Sequence, residues 1–289
     1  MNPRTPTGQP PQGCLDYWSV RDEFLMWLKA KNVTEGHVHK ITSYLDRFFK
    51  PINSPSDVSK MFIGLSRGQK ENLVKALRNL FNFLELKGFN QTFLDLLRRG
   101  LPKTGRGFDV RVPSEEDIVN ALRVLQKYDG YFMLFNVILD SGLRVIEAVK
   151  FMEAYKAGVI NLEAYGGFYM AKMSMMRGCK NTFAVFITEY TRRLLDGVER
   201  IISYERARKM KEQLGLKDSL ISCRYLRKFA FDKMVELGIP ESVADFIQGR
   251  TPVKICAKHY MNLLKQATTH YPRYMEYLRA LREKADLHF

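Results

Sequence analysis

The sequence predicts a mainly helical protein with one small antiparallel β-sheet, divided into two domains. Three observations carry this. At 289 residues the chain exceeds a single typical domain of about 100–200 residues. Apolar residues recur at helical spacing through most of residues 15–99 and again beyond 114. One run only, between Val159 and Thr188, is instead aromatic and rich in strand-forming residues. The 46% hydrophobic and 27% charged content is that of a chain with a buried core rather than a disordered one.

Residues 1–14 are rich in Pro and Gly and lack the apolar middle of a secretory signal, so a flexible leader and no export are expected. In the first domain, 15–99, Thr34 precedes Val38, Ile41, Tyr44, Leu45 and Phe48 at helical spacing, and Pro51 follows. Ser66 heads a longer stripe formed by Leu73, Val74, Leu77, Leu80, Phe81 and Leu84, with Gly88 as its stop. Lys60, Arg67, Lys70, Lys75, Arg78 and Lys87 take the outward positions, a face suited to DNA or simply to water. Residues 100–113 are rich in Gly, Pro and basic side chains without apolar periodicity and read as a linker. Ser114 with Glu115, Glu116 and Asp117 forms a helix cap and acidic first turn, which starts the second domain, 114–289.

That domain opens with two helices. Tyr131 to Leu139 is too short an apolar run to span a membrane and reads as a buried helix; no membrane span is expected. Two β-rich runs then flank Arg177-Gly178-Cys179-Lys180, which predicts a hairpin with a third strand near Val159. Helices are expected over Glu189–Leu214, over Arg224–Leu237 with a stop at Gly238, over Glu241–Gln248 with a stop at Gly249, and from Tyr260 to the C-terminus.

Lys and Arg outnumber Asp and Glu by 46 to 31, a net charge of +15. The excess is +8 in residues 1–113 and +7 in the remainder, so it is no basic tail. Its simplest physical reading is a polyanion touched by both domains, drawn in by phosphate attraction and counterion release. Cys14, Cys179, Cys223 and Cys256 show no Cys-x-x-Cys spacing, which argues against a disulfide framework and a zinc site and for a reducing cytoplasm. No metal and no cofactor are expected.

The residues that could carry chemistry lie in the second domain. Arg144 follows Gly142 and opens a helix, where backbone N–H groups favour anions. Arg224 and Arg227 stand three apart on one helix face, and partial burial beside Leu226 and Phe229 would call for an anion. Arg250 follows Gly249, and Tyr260 lies ten residues on. Each alone is an ordinary feature.

As an ordered set, SGLR with Arg144, RGCK with Lys180, RYLR with Arg224 and Arg227, QGR with Arg250 and KHY with Tyr260 resemble the tyrosine recombinase (phage-type integrase) family, specifically its archaeal fusellovirus-type integrases. The likeness covers 114 to about 265. Residues 15–99 match the family's helical core-binding domain in outline, with 114–289 as the mixed α/β catalytic domain.

The resemblance implies a site-specific DNA recombinase that needs neither metal nor ATP. In it Tyr260 attacks a phosphodiester to give a 3′-phosphotyrosyl link, and the freed 5′-hydroxyl later attacks the partner strand. It assigns phosphate clamping to Arg144, Arg227 and Arg250, and the leaving-group proton to Lys180, with Lys172 and Arg177 as alternates. Both positions where the wider family usually places His hold Arg here, Arg224 and Arg250, and an arginine cannot take up the tyrosine proton. Arg224 then stabilises phosphate charge and lowers the phenol pKa, and His259 is the nearest sequence neighbour able to accept a proton.

Further implied are a double-stranded DNA attachment site, a homo-oligomer on DNA (a tetramer in synapsis), integration of a virus or plasmid into a host chromosome, and a cytoplasmic, nucleoid-associated location. The segment from Asn262 to Phe289 is apolar enough to pack, either on a neighbouring protomer, as in relatives, or on its own domain. An idle DNA-binding protein of this fold and a type IB topoisomerase-like nicking and resealing enzyme are the alternatives.

Overall fold

The computed structural model describes residues 14–103, 105, 109–177, 180–214, 222–250 and 262–287, with backbone alone for 174–177, 180, 181, 211 and 213. Two compact units result, Met1–Phe108 and Asp109–Phe289. Tyr260, His259 and the Gly178-Cys179 turn lie outside the described residues, and Lys180 is described by its backbone alone.

The first unit holds α1 (Arg21–Ala30), α2 (Glu35–Phe48), α3 (Pro55–Lys60), α4 (Arg67–Leu86) and α5 (Gln91–Arg99). Thr34 precedes α2 as expected. Ser66 starts α4 through a reciprocal cap: its Oγ accepts from the Gln69 N–H at 3.4 Å, while its own N–H donates to Gln69 Oε1 at 2.8 Å. Gly88 ends that helix at φ +83°. The predicted stripe of α4 is buried against α2, with Phe24 of α1 in the same core. At the N-terminal edge Asp46 accepts the Tyr17 hydroxyl at 2.8 Å and two Arg21 nitrogens at 2.9 Å each. The outward basic face is narrower than its sequence implies. Lys60, Arg67 and Lys87 are paired with Asp57, Glu71 and Glu23, whereas exposed Lys75 and Arg78 have no carboxylate partner among the described residues.

The second unit opens with three helices rather than two: α6 (Glu115–Leu125), α7 (Asp129–Ser141) and α8 (Val145–Lys156). Ser114 and Asp117 form the cap of α6, with N–H to side-chain distances of 2.8 and 3.1 Å. Every residue of α7 from Tyr131 to Ser141 is buried, as its apolar run requires of a helix inside a core.

The sheet is β1 (Glu163–Tyr165), β2 (Phe168–Arg177) and β3 (Lys180–Thr188), antiparallel in that order. The third strand lies beyond Val159 for a physical reason. Gly158, at φ +68°, ends α8, and the Val159 N–H is taken by the Ala154 carbonyl at 2.9 Å. Gly166 and Gly167, both at positive φ, then make the two-residue turn into β2 that strand twist favours.

After β3 the single expected helix is three: α9 (Glu189–Gly197), α10 (Tyr204–Arg208) and α11 (Met210–Gln213). The break falls where Val198 turns extended, and Ser203 caps the restart. Then follow α12 (Cys223–Glu236), α13 (Glu241–Ile247) and α14 (Leu263–Lys284).

Helix α14 packs on its own unit. Tyr271, Tyr274, Leu278 and Leu281 are buried, and the Tyr271 and Tyr274 hydroxyls donate to the carbonyls of Asp140 and Leu139 at 3.1 and 2.7 Å. Those are orphan carbonyls at the C-terminal end of α7. Of the two arrangements expected for this segment, the described residues show the packing on its own domain. Residues 109–111, expected in the linker, belong to the second unit: Asp109 accepts the Tyr225 hydroxyl at 2.9 Å, and the Lys228 amine reaches the Asp109 and Arg111 carbonyls. Among the described residues no helix is long and apolar enough to cross a membrane, and no group of three His, Cys, Asp or Glu could hold a metal ion.

Candidate functional site

Two arginines far apart in sequence, Arg144 and Arg227, converge on the buried Glu147 carboxylate, and a third, Arg250, is paired with Asp245 close enough for Arg227 to feel both charges. Two of the three are delivered by glycine helix stops. Gly142, at φ +61°, ends α7, and a Cβ there would meet the Gln248 side chain at 2.4 Å. Two residues later Arg144 occupies the N-cap of α8. Its N–H donates to Glu147 Oε2 at 2.9 Å, and its Nη1 donates to Glu147 Oε1 at 2.6 Å and to the Gly249 carbonyl at 3.0 Å.

The other stop is Gly249, at φ +67°, where a Cβ would meet Thr182 Oγ1 of β3 at 2.5 Å. There the Gly249 N–H donates to the Phe246 carbonyl at 2.9 Å and the Arg250 N–H to the Asp245 carbonyl at 2.8 Å, the paired bonds that close a helix end around a left-handed glycine. Arg250 Nη1 donates to Asp245 Oδ1 at 2.8 Å, and its guanidinium lies 4.9 Å from the Phe231 ring centre. Buried Gln248 ties the two stops to the third element by donating to the Arg227 carbonyl at 2.8 Å.

Arg227, in the second turn of α12, has a side chain only 11% exposed, and its Nη1 stands 3.9 Å from Glu147 Oε2. Neither Nη1 nor Nη2 has a hydrogen-bond partner among the described residues. Burial first, then the charges of Arg144 and Arg250, lowers its pKa to about 9 from the ordinary 12.5, against the pull of Glu147 and Asp245. The group stays cationic at neutral pH. Its nearest carboxylate is already engaged by Arg144, which leaves the guanidinium chemically able to take a further anion with several acceptor oxygens. Thr182 Oγ1 and Gln248 Oε1 are also buried without partners among the described residues.

The other expected site residues fall differently. Arg224 is exposed, 3.5 Å from Asp109 Oδ2, and lies over the Tyr225 ring, so the structure does not bring it into the Glu147 cluster. Asp109 is held well below the usual carboxylate range, chiefly by Arg111 and then by the Tyr225 hydroxyl. Lys180 opens β3 with its Cα paired to that of Arg177. Lys172 pairs with Glu163 at 3.0 Å, which raises its pKa and suits it poorly to giving up a proton. Glu147, Asp245 and Gln248 are the participants that sequence reasoning passed over. Glu147 had one signal, a carboxylate three residues after a helix N-cap.

A family model described as archaeal phage integrase matches residues 110–277, more than half of the chain. Among solved structures, the integrase from mycobacterium phage Brujita is 14% identical with a TM-score of 0.42, covering 89% of this chain and 92% of that one. A crystal structure of XerA recombinase is 12% identical with a TM-score of 0.35, covering 95% and 100%. No curated protein matches.

Proposed function

The chain belongs to the archaeal phage integrase family, and from that premise we propose that it is a tyrosine recombinase that cuts and rejoins double-stranded DNA at specific sites. The observation that carries the reading is the buried Arg227 guanidinium, two of its nitrogens unpartnered, flanked by Arg144 and Arg250. The scissile phosphate binds there. Tyr260 Oη, its proton released to solvent, attacks phosphorus; the P–O5′ bond breaks, and the 5′-oxygen takes a proton from Lys180. The 3′-phosphotyrosyl ester keeps the bond energy for the second transfer, in which the 5′-hydroxyl of a partner strand displaces Tyr260.

Negative charge grows on the non-bridging oxygens in the transition state. Fixed guanidinium groups stabilise it without reorganising, and one lost donor of this kind costs about 3–4 kcal/mol of barrier. Arg224, lightly held by Asp109, adds positive field toward the DNA and the phenol. Strand exchange between two duplexes calls for several protomers on DNA, a tetramer in synapsis, and the outcome is integration of a virus or plasmid into its host chromosome.

A nicked suicide duplex carrying a candidate attachment site tests this. The wild type is expected to form a denaturation-resistant protein–DNA adduct that Tyr260→Phe does not. An adduct persisting in Tyr260→Phe would refute the nucleophile. Relaxation of supercoils without joining of two duplexes would favour a topoisomerase, and absence of any adduct an accessory DNA-binding protein.

A further inference from the structure

We propose that Asp245 is a positioning residue for the recombination reaction, acting through Arg250; the inference rests on the phosphate-clamping role given to Arg250 above. Where the wider family usually has His or Trp, this chain has a long guanidinium arm with many rotamers, and such an arm must be held if it is to meet one phosphate oxygen.

The fold supplies the hold locally. In a helix end closed by a left-handed glycine, the third residue from the end and the second residue past the last half-turn lie side by side, and they usually make an apolar contact. Here those positions are Asp245 and Arg250, so the contact is an ion pair. The Arg250 N–H bonds the Asp245 carbonyl at 2.8 Å, and Arg250 Nη1 bonds Asp245 Oδ1 at 2.8 Å, so the same two residues are joined through backbone and side chain. Phe231 of α12 lies 4.9 Å from the guanidinium carbon, ring centre to Cζ, and adds a cation–π contact that favours this position of the arm. The Asp245 side chain is 21% exposed and Arg250 38%, leaving the outer edge of the fork accessible.

Asp245 also sets the charge of the cluster. Arg144, Arg227 and Arg250 against Glu147 and Asp245 leave a single positive charge, which matches one phosphodiester. Among the groups felt by Arg227, Asp245 offsets part of the repulsion from Arg250. Removing the carboxylate therefore frees the arm and raises the local positive charge together. Ground-state attraction to DNA is kept or strengthened while the reacting geometry is lost, so binding and rate move apart.

The test is a double-mutant cycle on single-turnover adduct formation at saturating suicide duplex, with DNA affinity and melting temperature measured on the same proteins. Asp245→Asn is expected to slow adduct formation about 10–100-fold with DNA affinity unchanged or tighter. Arg250→Ala is expected to slow it about 10²–10³-fold. In the Arg250→Ala background Asp245→Asn should add less than about twofold. Asp245→Glu, which keeps the charge on an arm one methylene longer, should fall between wild type and Asn; it carries the same cycle should the Asn protein not fold. Wild-type rate in Asp245→Asn beside a slow Arg250→Ala overturns this inference alone, as does an equal slowing by Asp245→Asn in both backgrounds. Full rate in Arg250→Ala overturns the role of Arg250 and this inference with it.

Discussion

The second unit buries two arginines in opposite states of hydrogen bonding. Arg282 of α14, with a side chain 3% exposed, has a hydrogen-bond partner at each of its three nitrogens. Its Nε donates to Asn136 Oδ1 at 3.0 Å, Nη1 to Thr188 Oγ1 at 3.0 Å, and Nη2 to Thr191 Oγ1 at 3.2 Å and to the fully buried carboxylate of Asp140. Asp140 in turn accepts from the Thr188 N–H and hydroxyl at 2.7 and 2.8 Å. Arg282 thereby fixes α14 to α7 and to the junction of β3 with α9. Arg227, 11% exposed, leaves two nitrogens without an acceptor among the described residues. A buried cation with a partner at each nitrogen holds a fold together; one with bonds unmade carries a desolvation cost that a bound anion would relieve.

Arg282→Met breaks the comparison most forcefully. It strands the Asp140 carboxylate inside the core and should cost about 3–5 kcal/mol of stability in denaturant unfolding. A loss below about 1 kcal/mol would mean the network is not the keystone described. Next in size, Gly249→Ala forces a side chain into a left-handed backbone and against Thr182, for about 1–3 kcal/mol. Because it lifts the stop that delivers Arg250, it should slow adduct formation out of proportion to that loss, and a proportionate effect would remove the glycine from the site.

How much was legible follows the same division. Arg144 and Arg250 could be picked out because glycine stops precede them, and Arg227 because it stands three residues after Arg224 in RYLR. Glu147 and Asp245 could have been, since their partners lie three and five residues away across a helix start and a helix stop. The Arg282 network could not: its bonds to Asn136, Asp140, Thr188 and Thr191 close across far separated residues, and in sequence Arg282 is one more basic residue of a charged helix. Local propensity likewise ran one helix through Gly197 and Val198, where the chain turns extended.

Smaller effects sharpen the structural side. Tyr274→Phe removes the hydroxyl bound to the Leu139 carbonyl and should cost about 1 kcal/mol while leaving adduct formation at the wild-type rate. Loss of the adduct there would place the nucleophile in α14. Glu189, bonded to Arg192 and Arg193 and to none of the three clustered arginines among the described residues, is a separate pH probe. The hydrogen bond from Arg192, supported by Arg193 and Tyr169 against burial, holds its carboxyl at about 2, below its ordinary 4.5. A depressed carboxyl stabilises the fold above its unfolded pKa and loses that contribution as pH falls. The melting difference between wild type and Glu189→Gln should therefore be constant above about pH 5 and shrink as pH falls from 4.5 toward 2. A difference that grows in that window would contradict the assignment.

Arg227→Met decides the central claim. It replaces an incompletely satisfied buried cation with an apolar side chain of similar length and leaves Glu147 paired with Arg144. The protein should melt at or above the wild-type temperature while adduct formation on the suicide duplex falls by at least about 10²-fold. A variant that melts several degrees lower and still forms the adduct at the wild-type rate would show Arg227 to be structural and the phosphate to bind elsewhere.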